Sequence, residues 1–399
     1  MPSLNSLPLE LLTRIASDLC IHCTSTPPDL CTSTCFSVSA NCDCSYANAV
    51  NLRLQSRALL NLCLASRRMH AAAEQILYHR PNTHKWWLLV AALLSRPELA
   101  QCVRELFLPR HEYDEGEERG VPREVEGYYK SLYAAWLGRD YERQGIFPDR
   151  GNEQREARAR EAAVVEAVRE FAAEGDTSGG EVASVLVSLC PRVEKMERYV
   201  CWDASLLYSG RDSLLGLRHL ELVYWDTEGG IGLSTVAEIT AAAPNLEVFR
   251  GLAVVGEAYP TGEDPTAGLE LRMGELRDLE LRASVLNEGA LEVLLKACPK
   301  LEFFDFEIGC MQRGTEQFSP TQAADLFDKY GGSSLRQVVV DYNLSSDSGT
   351  DWVFGELEEW PQGEGKRAAD RFREKGIWFE IVGCTVNTDE DDVEDGVEG

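Results

Sequence analysis

Leu217-Arg218-His219-Leu220-Glu221-Leu222 has the spacing L-x-x-L-x-L, and the fold follows from how often that spacing returns. Leu220 and Leu222 stand two apart, so in an extended strand they share one face while Glu221 takes the other. Working outward, the pattern recurs as Val103, Leu106, Leu108; as Leu276, Leu279, Leu281; as Leu301, Phe304, Phe306; and as Leu335, Val338, Val340. Looser copies begin at Val193, with Met196, and at Leu246, with Phe249 and Gly251.

Three of these strands follow a helix with the same ending: Cys190-Pro191-Arg192-Val193, Ala243-Pro244-Asn245-Leu246 and Cys298-Pro299-Lys300-Leu301. Proline stops the helix and the strand begins two residues later. From Val193 onward the strand starts are 24, 29, 30, 25 and 34 residues apart. Leucine-rich repeats run about 20–29 residues with one strand and one helix each, and every unit buries its apolar face against a neighbour. The fold class expected is α/β: an irregular solenoid over residues 81–385 with a parallel sheet on its concave face. A helical insertion is expected at about 111–180, where Glu156–Arg160 and Glu166–Arg169 stand at helical spacing. Ile377 to Val382 reads as a last strand covering the open end.

The charge is lopsided. Lysine plus arginine total 39 against 66 aspartate plus glutamate, a net charge of −27. This argues against nucleic acid as a partner, because each contacted phosphate calls for a Lys or Arg. Residues 1–110 carry ten basic and seven acidic side chains, so the acid lies behind them. Residues 386–399 read as a disordered acidic tail. The longest uncharged apolar run, Trp86–Ser95, has ten residues, half of what a bilayer needs, so no membrane partner is expected. Thirteen cysteines, seven of them scattered singly, suit a reducing compartment. The expected location is cytoplasmic, nuclear or both.

Ahead of the repeats, Leu11, Leu12, Ile15 and Leu19 recur on one face of a short helix that Pro8 opens. Residues 21–50 break that pattern with Ser, Thr, Pro, Asn and Cys and read as a loop insertion. The helical signal returns from Leu52 to Tyr78. Leu4-x-x-Leu7-Pro8-x-Glu10-Leu11-Leu12-x-x-Ile15-x-x-x-Leu19 resembles the first helix of an F-box. Leu59-Leu60-Asn61-Leu62-Cys63-Leu64-Ala65-Ser66-Arg67-Arg68-Met69-His70 resembles the remainder, and Ile76-Leu77-Tyr78 the join to the substrate domain of fungal F-box proteins. Residues 1–80 are thus similar to an F-box module.

An F-box ahead of leucine-rich repeats implies the substrate-recognition subunit of a Skp–cullin–F-box ubiquitin ligase. It would bind a Skp-type adaptor and, through it, a cullin, while the repeats bind an unknown protein substrate. The resemblance puts adaptor contact on Leu7, Pro8, Leu11, Leu12, Ile15, Leu59 and Leu60. Some of these must also pack internally, since a small helical unit needs its own core. The competing readings are a repeat scaffold acting outside any ubiquitin ligase and a metal-dependent sensor using the cysteine-rich loop.

Between the second and third apolar positions of the seven strands lie Phe107, Glu197, Glu221, Arg250, Glu280, Asp305 and Val339. Parallel strands set such neighbours about 4.8 Å apart, where like charges repel. Arg250 between Glu221 and Glu280 relieves part of that repulsion. Glu197, Glu221, Arg250, Glu280 and Asp305 are the candidate substrate surface, suited to a basic segment.

Cys20-x2-Cys23-x7-Cys31-x3-Cys35-x6-Cys42-x-Cys44 begins with one pair compatible with zinc. The later spacings match no zinc finger, so a plain loop is expected, with no cofactor; Cys20 and Cys23 are the metal candidates if there are any. Gly363-x-Gly365-Lys366-Arg367 lacks the first glycine and final Ser/Thr of a phosphate loop. No histidine stands at ligand or base spacing. A receptor, not an enzyme, is expected.

Overall fold

The computed structural model describes residues 6–24, 43–81, 86–108, 186–187, 189–200, 214–224, 229–256, 269, 271–309, 317–342 and 363–382. The expected helical insertion at 111–180, the acidic tail at 386–399 and the middle of the cysteine loop lie outside the described residues.

Six helices come first: α1 (Leu9–Asp18), α2 (Ile21–Thr24), α3 (Asp43–Ala65), α4 (Arg67–Leu77), α5 (Trp86–Ser95) and α6 (Pro97–Ala100). Strands β1 (Glu105–Leu108), β2 (Lys195–Val200), β3 (His219–Tyr224) and β4 (Ile231–Gly232) follow, then α7 (Leu233–Ala242), β5 (Val248–Leu252) and β6 (Val254–Val255). The chain continues through β7 (Asp278–Ser284), α8 (Glu288–Ala297), β8 (Phe303–Ile308), α9 (Pro320–Tyr330), β9 (Gln337–Asp341), α10 (Gly363–Glu374) and β10 (Trp378–Val382).

Eight strands form one parallel sheet in the order β1-β2-β3-β5-β7-β8-β9-β10, and β4 pairs with β6 in a separate two-stranded ribbon. Apart from that ribbon, each inner strand pairs with the strand that precedes and the one that follows it in the chain, and β1 and β10 are the edges. Parallel neighbours require a crossover, and α7, α8, α9 and α10 supply it between the later strands.

The register places equivalent residues side by side. Leu106, Met196, Leu220, Phe249, Leu279, Phe304 and Val338 form one row, all buried. Two residues on, Leu108, Leu222, Leu281, Phe306 and Val340 form a second. Together with the helices' inner faces they make a single core reaching from Leu89 to Phe372. Toward β10 the leucines give way to rings: Phe304 meets Phe327 edge-on at 4.9 Å, and Phe372 stacks on Phe379 at 4.4 Å. The irregular copy at β2 has a structural cause: its second inward position is Arg198, fully inside the fold.

The strand entries carry a ladder that the leucine pattern does not report. The Arg104 carbonyl accepts the Glu194 and Lys195 N–H groups, at 2.7 and 3.0 Å; the Glu194 carbonyl accepts those of Arg218 and His219. The arrangement repeats at Arg218, Glu247, Arg277 and Glu302. The side chains alternate in sign along this edge: Arg104, Glu194, Arg218, Glu247, Arg277, Glu302, Arg336. Arg218–Glu247 closes at 2.9 Å, and Glu302 takes Arg277 at 3.3 Å and Arg336 at 3.2 Å. Opposite charges between adjacent strands favour this register over a slipped one. Where β8 ends, a Cβ on Gly309 would stand 2.2 Å from the Ala283 carbonyl oxygen, so only glycine fits.

The N-terminal helices hold two small clusters of their own. Leu12, Met69 and Ala72 form one; Ala16, Cys20, Leu59, Cys63, Ala73 and Ile76 form the other. The helical signal from Leu52 to Tyr78 resolves into two helices because Ser66 interrupts it: its Oγ accepts the Met69 N–H at 3.2 Å and caps α4. The stretch read as a loop, 21–50, is helical at both ends, since α2 occupies Ile21–Thr24 and α3 begins at Asp43. Ser, Asn, Cys and Tyr near the start of α3 have middling helix propensity, which hides its first two turns from a pattern search. Among the described residues no helix is long and apolar enough to cross a membrane.

Candidate functional site

On α1 the apolar residues divide between two uses. Leu12 and Ala16 face inward, 4% and 0% exposed. Leu11 and Ile15, one turn apart, stand 49% and 36% exposed, and Leu9 is exposed as well. Pro8 precedes the helix in the open, and Leu7 packs half-buried beside Leu12. On α3, Leu59 is buried while Leu60 and Leu64, again one turn apart, are exposed, as is Leu54. Of the seven residues predicted for adaptor contact, Leu12 and Leu59 are therefore core. Pro8, Leu11, Ile15 and Leu60 present surface. Leu54 and Leu64 are exposed too; for Leu64 the i, i+4 spacing to Leu60 was the available signal.

Two links hold this helical module to the sheet. The His79 carbonyl accepts the N–H groups of Arg104 and Glu105, each at 2.9 Å. Arg80 pairs with Glu105 at 3.1 Å. Nearby, Arg96 grips Glu74 with both Nη atoms, the second at 2.9 Å. That guanidinium holds the Glu74 carboxyl below its ordinary range.

The predicted stripe on the outer sheet face assembles in register: Phe107, Glu197, Glu221, Arg250, Glu280, Asp305 and Val339 are lateral neighbours. Its charges are largely spent on one another. Arg250 Nε lies 3.1 Å from Glu280 Oε2. Arg282, one step up the same face, reaches Glu280 at 3.0 Å, Asp305 at 2.7 Å and Glu307 at 3.5 Å. Sequence reasoning passed over Arg282, although its place two residues after Glu280 puts both on one face.

The other end of the stripe behaves differently. Glu197 and Glu221 are register partners. Burial, and then the neighbouring Glu221, push Glu197 well above the usual carboxylate range. Burial raises Glu221 too, against the pull of Lys195 and Arg250. Burial also lifts Asp305, to about 6, despite Arg282. Desolvation and Lys195 lower the His219 imidazole. Desolvation thus disfavours the charged forms of the Glu197–Glu221 pair and of His219, and beyond them lies an Arg250–Arg282 cluster with its acids. The stripe offers less negative charge than the sequence implies.

Cys20 and Cys23 come together at the end of α1, and a third residue joins them. His79 Nδ1 stands 3.9 Å from Cys20 Sγ and 3.3 Å from Cys23 Sγ. All three donor atoms lie within 4.8 Å of one another. Burial and the adjacent Cys20 push the Cys23 thiol up to about 11, so it is no activated nucleophile.

No family model and no curated protein matches this chain.

Proposed function

We propose that this chain is the substrate-recognition subunit of a Skp–cullin–F-box-type ubiquitin ligase. Its N-terminal helices are an F-box that binds the Skp-type adaptor, and its sheet belongs to an irregular leucine-rich-repeat solenoid that holds a protein substrate. The observation that carries this reading is the divided use of α1. Leu12 and Ala16 complete the module's own core, yet Leu11 and Ile15 remain exposed one turn apart. Burying a whole Leu or Ile side chain gains about 1.5–3 kcal/mol, and roughly half of that is still available at each. With Leu9 and Leu60 the unspent gain is on the order of 4 kcal/mol, and an adaptor helix is the occupant that the F-box resemblance names.

The sheet supplies the other requirement. Eight strands in chain order, at about 4.8 Å per interval, make a spacer roughly 34 Å wide. Its single continuous core lets it act as one arm. A receptor of this kind does no chemistry: it raises the effective concentration of substrate lysines near a charged conjugating enzyme. The half-buried face bearing Glu197, Glu221 and His219 is the proposed substrate surface, together with the Arg250–Glu280–Arg282–Asp305 cluster. Both hydrogen-bond donors and acceptors are offered there.

Affinity purification of the full chain from cells tests the proposal. The wild type is expected to bring down a Skp-type adaptor and a cullin, and Leu11→Asp to lose both while keeping its melting temperature. Recovery of neither by the wild type would leave a repeat scaffold outside any ligase.

A further inference from the structure

We propose that Cys20, Cys23 and His79 form a binding site for a soft divalent cation, zinc first among them. The proposal does not depend on the ligase reading. The spacing of the donors is the main argument. Zinc binds thiolate sulfur at about 2.3 Å and imidazole nitrogen at about 2.0–2.1 Å, so tetrahedral angles put sulfur and nitrogen about 3.6 Å apart. The two observed separations, 3.9 Å for Cys20 and 3.3 Å for Cys23, bracket that value. A shift of a few tenths of an ångström in each sulfur would equalise them.

The backbone already fixes all three positions. Cys20 closes the turn after α1, its N–H donating to the Ser17 carbonyl at 3.0 Å. The Cys23 N–H donates to the Cys20 carbonyl at 3.1 Å, and the three-residue step of that turn sets both sulfurs on one side. His79 follows α4, with its N–H on the Ile76 carbonyl at 3.1 Å and its own carbonyl held by β1. Such a preorganised set leaves little ordering cost for a cation to meet. Two thiolates and one imidazole select zinc and its soft neighbours over magnesium or calcium, which require oxygen donors. Three protein ligands leave a fourth position for water or another donor. On binding, the two thiol protons pass to solvent.

The site has a mechanical consequence. Cys20 and His79 are 59 residues apart in the chain, and the site joins the end of α1 to the residue after α4 whose carbonyl holds the entry of β1. A bound cation would therefore fasten the helical module to the arm behind it.

Metal analysis of the full chain, purified without chelator and dialysed, tests this, with cobalt substitution as the second readout. About one zinc per chain is expected, and the cobalt form should show a thiolate charge-transfer band. Cys23→Ser should roughly halve that band. Cys23→Ser and His79→Gln should each weaken zinc binding by more than the roughly 10–100-fold that loss of an outer supporting partner brings. Cys23 is exposed, so Cys23→Ser leaves the packed clusters intact, and an unchanged far-UV spectrum checks that. The triple replacement Cys31→Ser, Cys35→Ser, Cys42→Ser should keep the metal. Substoichiometric zinc in the wild type, a Cys20–Cys23 disulfide, or loss of metal only in the triple variant would each overturn the proposal.

Discussion

Replacing Arg282 with Met should destabilise the protein in a manner that grows with pH. Its guanidinium faces three carboxylates, at 3.0, 2.7 and 3.5 Å, and its side chain is 12% exposed. Removing one member of a buried ion pair typically costs about 3–5 kcal/mol, because a charge is left unpaired. Two features reduce that here. Arg250 still pairs with Glu280 at 3.1 Å, and Glu307 is 40% exposed, where water screens it and the pair is worth little. Asp305 bears the main loss, giving about 2–3 kcal/mol at pH 8. Asp305 already sits at about 6, lifted by burial against the pull of Arg282. Without that cation its folded pKa rises further above the unfolded value. A carboxyl raised in this way stabilises fully below its unfolded pKa and loses the contribution as pH climbs through the folded one. At pH 5 the variant's Asp305 is protonated and the penalty falls to about 1 kcal/mol. Urea unfolding at pH 5 and pH 8 reads both values, and Arg250→Met, which removes one contact, should cost less than about 1 kcal/mol at either. A penalty that is the same at both pH values, or larger at pH 5, would refute the account of this cluster.

Glu302→Arg puts a third positive charge between Arg277 and Arg336, which Glu302 now holds at 3.3 and 3.2 Å. The expected loss is about 1–2 kcal/mol, shrinking in high salt because Arg277 and Arg336 are more than half exposed; a salt series of thermal melts checks it. Glu197→Gln should flatten the fall in stability expected of the wild type as pH rises past neutrality, since the raised Glu197 pKa makes ionisation costly there. Equal pH slopes for both proteins would count against the half-buried carboxyl pair. Leu12→Ala should cost about 2–3 kcal/mol and Leu11→Ala less than about 1, as the first empties a packed site and the second trims an exposed one; chemical unfolding compares them.

The sheet was legible because its rule is local. Leu217, Leu220 and Leu222 announce a strand, and copies of that spacing predict lateral neighbours down to the alignment of Glu221 with Arg250 and Glu280. The Arg/Glu ladder was equally present, since Arg104, Glu194, Arg218, Glu247, Arg277, Glu302 and Arg336 each follow the first apolar residue of a copy. Attention to the leucines alone passed over it. Other features depend on distance in the chain. His79 joins Cys20 only because α4 folds back along α1, and nothing in a C-x2-C pair points 56 residues onward. Which leucines of α1 are core also turns on a partner: Leu12 is buried by Met69 and Ala72, while Leu11, next to it in the chain, has none of that cover.

Titration calorimetry of the purified full chain against a purified Skp-type adaptor puts the central claim to its most direct test. The account predicts one-to-one binding in the micromolar range or tighter, with a negative heat-capacity change from apolar burial. Leu11→Asp and Ile15→Asp should each weaken it at least about thirtyfold, a little over 2 kcal/mol, and Glu221→Lys should not. No heat of binding by the wild type, or binding that survives both α1 substitutions, would contradict the assignment of α1 as the docking ridge.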